Sequence, residues 1–250
     1  KITPVSIISS SSGMGITQAD QSQMYTGMAI EPVINVTRYV NGEIIKLERD
    51  KDYTVEYANN IEVTGSGEKA SITVTGIGNY TGQKVIRFEI EKRAVYNCQM
   101  DAIADQLWTG SAITPEINIY NGEIKLVENE DYTVEYKNNV NVTDSAEVVI
   151  TGIGNYSGEL SRTFKITAKD ISKCSVDAIG GQVHTGKAVT PEVTVRDGTQ
   201  VLVSGTDYKT EYSNNINETT ASSKAEIKIT GSGNYTGSIT VNFTISKNLV

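Results

Sequence analysis

Gly76-Ile77-Gly78-Asn79-Tyr80-Thr81-Gly82 decides the reading of this chain, because it is found three times. It returns as Gly152-Ile153-Gly154-Asn155-Tyr156-Ser157-Gly158 and again as Gly231-Ser232-Gly233-Asn234-Tyr235-Thr236-Gly237. The steps are 76 and 79 residues, which marks internal duplication and divides the 250 residues into three units of about 80. Boundaries fall near residues 91 and 168, giving units 1–91, 92–168 and 169–250. A glycine-rich heptad could cradle phosphate only if a helix followed it. Here strand-like alternation lies on both sides. The heptad therefore reads as a strand-to-strand corner, with Gly78, Gly154 and Gly233 turning the backbone beside Asn79, Asn155 and Asn234. Tyr80, Tyr156 and Tyr235 pin that corner by ring and hydroxyl.

Working outward, each unit repeats one order of signals. Tyr25-Thr26-Gly27, Trp108-Thr109-Gly110 and His184-Thr185-Gly186 come first, with Pro32, Pro115 and Pro191 five residues after each glycine. Proline cannot donate to a sheet, so this segment should break or cap its strand. Alternating runs follow, ending in Asn41-Gly42, Asn121-Gly122 and Asp197-Gly198, dipeptides that suit a type I′ hairpin turn. The first hairpin has three more residues before its turn. Next comes Asp52-Tyr53-Thr54-Val55-Glu56-Tyr57 with its copies at 131–136 and 207–212. Tyr53, Val55 and Tyr57 share one face of a strand. Asn59-Asn60, Asn138-Asn139 and Asn214-Asn215 close it as turn residues. A last strand brings Ile239, Val241, Phe243 and Ile245 into phase.

Six or seven short strands per unit, with turn signals every 8 to 12 residues and no helical period, predict antiparallel β-sandwiches of immunoglobulin-like kind, three in an extended array. Thirteen tyrosines against three phenylalanines and one tryptophan suit thin, half-exposed sheets. Lys1-Ile2-Thr3 matches Lys165-Ile166-Thr167 and reads as the end of a preceding unit. Residues 4–24 depart from the pattern, and Ser9 to Ser12 with Gly13-Met14-Gly15 suggest a longer loop or a bulged first strand.

Net charge is −8, which argues against nucleic acid as a partner. No apolar run reaches the roughly 20 residues of a membrane helix, so direct membrane insertion is not expected. Cys98 and Cys174 stand 76 residues apart at equivalent strand positions and read as small core hydrophobes rather than a disulfide or a catalytic pair. The single histidine, His184, stands where the other units have Tyr25 and Trp108. A position that exchanges tyrosine, tryptophan and histidine is used as a flat ring, not as a base. It either covers a sheet edge or stacks on sugar C–H groups, making Tyr25, Trp108 and His184 candidate ligand contacts. The acidic runs 48–52 and 128–131 are not matched in unit three, so no metal and no cofactor is expected.

As a set, Thr-Gly-x-Ala-Ile-x-Pro, Asp-Tyr-Thr-Val-Glu-Tyr-x-Asn-Asn, Gly-Ile-Gly-Asn-Tyr-Thr-Gly and Phe-x-Ile resemble tandem bacterial immunoglobulin-like repeats of large secreted or wall-attached proteins from Gram-positive gut anaerobes. The resemblance covers residues 25–247. It implies extracellular display beside other domains of the same surface protein. A non-catalytic spacer or stalk is the expectation, and a module that binds glycan or host protein through its aromatics and loops is the alternative. The family has no catalytic motif to carry over.

Overall fold

The computed structural model describes residues 3–8, 12–18, 21–65 and 67–247. The matches drawn for Lys1 and Ile2, and the serine run at 9–11, lie outside them. The protein is all-β, of a kind consistent with β-sandwich packing, built from many small sheets. Two short 3-10 turns, Val95–Asn97 and Ile171–Lys173, interrupt the strands. The second is capped by the Asp170 carboxylate, which accepts the Ser172 N–H at 2.9 Å.

Two compact units form. The first holds Lys1–Asp101, Ile117–Glu135 and Val149–Ser161; the second holds Ala102–Glu116, Tyr136–Val148 and Arg162–Val250. The middle repeat of the sequence contributes to both.

In the first unit a four-stranded sheet runs in the order Ser22–Met24, Gln83–Glu91, Ala70–Gly76, Tyr53–Ala58. A second sheet joins Met14–Gln18, Ile34–Val40 and Glu43–Lys46. Alternation dictates what faces inward: Val36, Ile72, Val74, Phe88 and Ile90 are buried, while their sequence neighbours reach solvent. The second unit repeats this with Tyr208–Ser213, Ala225–Gly231 and Ser238–Phe243 in one sheet and Ser175–Val176, Val195–Asp197 and Gln200–Val201 in another. Its core runs unbroken from Trp108, Ile113, Phe164 and Ile166 into Ile171, Val195, Tyr235 and Phe243.

The pairing is not purely antiparallel. Val5–Ser6, Arg93–Ala94 and Lys169–Asp170 each run parallel to the tyrosine of a glycine-rich heptad, with Val5 opposite Tyr80, Arg93 opposite Tyr156 and Lys169 opposite Tyr235. Short parallel ladders also tie Ser22–Met24 to Glu89–Glu91, Gln106–Leu107 to Ile166–Thr167 and Gln182–Val183 to Ile245–Ser246. These opening strands are two or three residues long, too short for an alternation to signal their direction.

The hairpin turns split into two kinds. Asn41 and Gly42 both have positive φ, 52° and 91°, as a type I′ turn requires. In the other copies only Gly122 and Gly198 do, and Asn121 pairs with Ile124 and Asp197 with Gln200. The turn has moved one residue along, leaving Asn121 and Asp197 in their strands. The cysteines also differ from expectation. Cys98 and Cys174 are free and follow the 3-10 turns instead of lying in strands; both are half-buried, and burial pushes their thiols up from the ordinary value.

The prolines do what their chemistry requires. None of the three lies in a strand, and each carbonyl accepts a tyrosine hydroxyl: Tyr57 to Pro32 at 2.9 Å, Tyr136 to Pro115 at 2.6 Å, Tyr212 to Pro191 at 2.7 Å. The asparagine pairs divide their labour. Asn59, Asn138 and Asn214 take left-handed backbone, with φ of 52°, 54° and 51°. The side chains of Asn60, Asn139 and Asn215 donate to the carbonyls of Ile30, Ile113 and Val189, each at 3.0 Å.

Candidate functional site: the ring and heptad joints

The glycine-rich heptad closes on itself. Its first glycine N–H donates to its last glycine carbonyl in all three copies, at 2.9 Å for Gly76 to Gly82 and Gly152 to Gly158, and 3.0 Å for Gly231 to Gly237. A side chain on the first glycine would collide with main chain: a Cβ at Gly152 would lie 2.7 Å from Ser157 N. The second glycine turns the corner, with φ of 61°, 58° and 63° at Gly78, Gly154 and Gly233. Because glycine already supplies the unusual backbone, the asparagine that follows has its side chain free for other work.

That work joins repeat to repeat. Asn155 Oδ1 accepts the Val63 N–H at 3.0 Å, and its amide donates to Glu62. Asn234 Oδ1 accepts the Val142 N–H at 2.9 Å, and its amide donates to Asn141 Oδ1 at 3.1 Å. The acceptors stand 92 residues from the N–H groups they receive in both cases.

The neighbouring tyrosines complete each joint. Tyr156 meets Tyr25 edge to face with ring centroids 5.4 Å apart, and Tyr235 meets Trp108 in the same manner at 5.2 Å. The Trp108 indole donates to the Val140 carbonyl at 3.0 Å. Asn121, left in its strand by the shifted turn, donates to the Thr26 carbonyl at 3.1 Å and lies 3.4 Å from the Tyr156 hydroxyl. Asp197 holds the matching place. It receives the Tyr235 hydroxyl at 3.1 Å and the Lys169 ammonium at 2.6 Å. Burial pushes the Tyr156 phenol up to about 12, partly offset by the Asn121 hydrogen bond. Burial, reinforced by the Asp197 carboxylate, drives the Tyr235 phenol up as well.

Of the three rings singled out from sequence, Tyr25 and Trp108 are each only 8 % exposed, too little to offer an open face to a sugar. His184 is half-buried and has no aromatic partner among the described residues. The structure thus brings Tyr25 and Tyr156 together, and Trp108 and Tyr235, pairs that lie far apart in the sequence. The hydroxyls of Tyr156 and Tyr235 meet hairpin side chains, Asn121 and Asp197 respectively. Asn155, Asn234, Asn121 and Asp197 were read as turn residues only. The signal that could have found the first two is the glycine before them, which makes an asparagine redundant for turning.

The acidic runs are occupied by their own turns. Asp52, Asp131 and Asp207 each accept a main-chain N–H four residues back, at 3.0, 2.8 and 2.8 Å. Among the described residues, no three or more histidine, cysteine, aspartate or glutamate side chains are grouped to hold a metal ion. No protein-family model matches the chain, and no curated protein matches it in sequence.

Proposed function

We propose that this chain is a run of three immunoglobulin-like β-sandwiches in an extended array. It serves as a non-catalytic spacer or stalk that presents other domains of an extracellular bacterial surface protein. One observation carries the reading. The heptad tyrosine and asparagine recur unchanged in all three copies, and in the second and third they spend their side chains on the repeat before: the tyrosine on the ring of its Thr-Gly motif, the asparagine on a main-chain N–H. Residues kept for a ligand would be left open to it. A part whose task is reach gains from each added copy, provided the joints are stiff.

Small-angle scattering tests this directly. A spacer gives a long, narrow particle whose maximum dimension grows when Tyr156 and Tyr235 are intact and becomes ill-defined when both are alanine. A compact globule would sink the proposal. Glycan-array binding of wild type beside Trp108→Ala tests the binding alternative: specific capture lost in the variant would favour a lectin-like module.

A further inference from the structure

In the third repeat the strand Tyr208–Ser213 lies at the edge of its sheet, with Ala225–Gly231 on one side. Antiparallel pairing turns the main-chain groups of alternate residues toward the neighbouring strand and away from it. The Asp207 carbonyl receives the Ser232 N–H at 2.9 Å, so Asp207, Lys209 and Glu211 face the sheet. Tyr208 faces the other way, and its carbonyl is taken by the Gly205 N–H at 2.8 Å. Thr210 and Tyr212 follow Tyr208 in phase. Their N–H and C=O groups point away from the sheet and meet no main-chain partner among the described residues.

Natural sheets blunt such an edge with a proline, a bulge or a covering segment. The proline segment runs past this one without pairing to it. It is held by side chains: the Tyr212 hydroxyl donates to the Pro191 carbonyl at 2.7 Å and the Tyr208 hydroxyl to the Val193 carbonyl at 2.8 Å. A groove of about 440 Å³ is left, where Thr190, Thr194, Ser204 and Thr210 stand beside the two tyrosines. The first repeat shows the same place filled. Its edge strand Tyr53–Ala58 turns Val55 and Tyr57 outward in the same way, because the Asp50 N–H takes the Tyr53 carbonyl at 2.7 Å. There Arg49 bridges to Tyr53 as Ser204 bridges to Tyr208, Val55 stands for Thr210, and the groove shrinks to about 160 Å³. What distinguishes the third repeat is room beside an open edge.

We propose that the third repeat binds an extended peptide segment of a partner protein, which adds as an antiparallel strand to Tyr208–Ser213. The free groups specify the occupant. Thr210 and Tyr212 offer N–H and C=O at two-residue spacing, and an extended main chain meets that set in full. The peptide residues opposite Thr210 and Tyr212 exchange hydrogen bonds with them and turn their side chains into the groove, whose hydroxyl-bearing walls suit threonine, serine or valine. The residues between stand opposite Lys209 and Glu211, both exposed on the other face. A glutamate opposite Lys209 and a lysine opposite Glu211 complete the match in charge. None of these groove and edge residues takes part in a joint, so holding a peptide and stiffening a stalk are compatible tasks.

Fluorescence polarisation of the full chain with labelled Thr-Lys-Val-Glu-Thr, set between Gly-Ser flanks, tests it. Its five residues fall opposite Tyr212, Glu211, Thr210, Lys209 and Tyr208 in turn. Wild type binds saturably, with Kd below about 1 mM. Thr210→Pro removes an outward N–H and no bond of the existing ladder, a change that edge strands tolerate. Ser204→Arg installs the residue of the first repeat. Each weakens binding about tenfold, while circular dichroism and Trp108 emission confirm that both stay folded. Methylated peptides decide the matter without any change to the protein. N-methyl groups on the first threonine and the valine, whose N–H groups face the edge, weaken binding about tenfold or more. On the lysine and glutamate, whose N–H groups face solvent, they leave it within about twofold. No binding by wild type, or equal loss for the two methylation patterns, overturns the proposal. So does capture of cellohexaose in place of the peptide, lost in Ser204→Arg, which gives the groove to a glycan. A long, narrow particle that binds no peptide would overturn this inference and leave the spacer reading standing.

Discussion

Tyr25 and Tyr156 meet edge to face, their rings inclined at 86° and separated by 131 residues of chain. Tyr156 is 1 % exposed and is among the largest fully buried side chains of the protein. Removing its ring leaves a cavity at a place where Tyr25 and Asn121 also lose a partner. Tyr156→Ala should therefore cost about 3–5 kcal/mol in urea unfolding. Tyr156→Phe keeps the ring and loses only the hydroxyl near Asn121, and should cost about 0.5–1.5 kcal/mol. Equal losses in the two variants would mean that the hydroxyl, not the ring contact, holds the joint.

The heptad asparagines permit a comparison within one molecule. Asn155→Ala strands the Val63 N–H without its acceptor, and should cost about 1–3 kcal/mol. Asn79→Ala removes the same residue from the same turn, where no such N–H is received among the described residues, and should fall within about 0.5 kcal/mol of wild type. If both cost alike, the asparagine acts through the turn and the cross-repeat bond contributes nothing.

These two asparagines also show how far the sequence could be read. Strand and turn positions were legible because alternation, Asn-Gly and Asn-Asn are local signals fixed by backbone sterics. The proline segments and the tyrosine face followed from the same chemistry. What stayed hidden was which side chains meet across repeats. Tyr25 and Tyr156 lie far apart in sequence, and nothing local distinguishes a ring that waits for sugar from one that waits for another ring. The parallel opening strands were hidden too, since two residues cannot announce a direction. Asn121 was misplaced by one position in its turn, and that single step carries its amide from solvent to Thr26.

Trp108 is the only tryptophan, so its fluorescence reports the second joint alone. Buried against Tyr235 and bonded to Val140, it should emit at short wavelength and resist acrylamide quenching. Tyr235→Ala should shift the emission to the red and raise the quenching constant about twofold or more, in line with a ring uncovered on one side. Tyr156→Ala should leave both unchanged, because that tyrosine packs on Tyr25. A red shift in the Tyr156 variant would show that the joints do not act independently.

The buried phenol predicts a pH dependence of stability. In the folded chain Tyr156 is held up to about 12 by burial, whereas a free tyrosine titrates near 10. The folded state therefore keeps a proton that the unfolded chain releases between those values. Stability from this group is complete below pH 10 and drains away as pH rises through 12. Absorbance at 295 nm should resolve a late tyrosinate component near pH 12, and Tyr156→Phe should remove it. The same variant should also flatten the fall in urea midpoint above pH 10. Should the late component survive in Tyr156→Phe, the wrong tyrosine has been assigned. Tyr235, pushed up by burial and the Asp197 carboxylate, would then be the group to replace next.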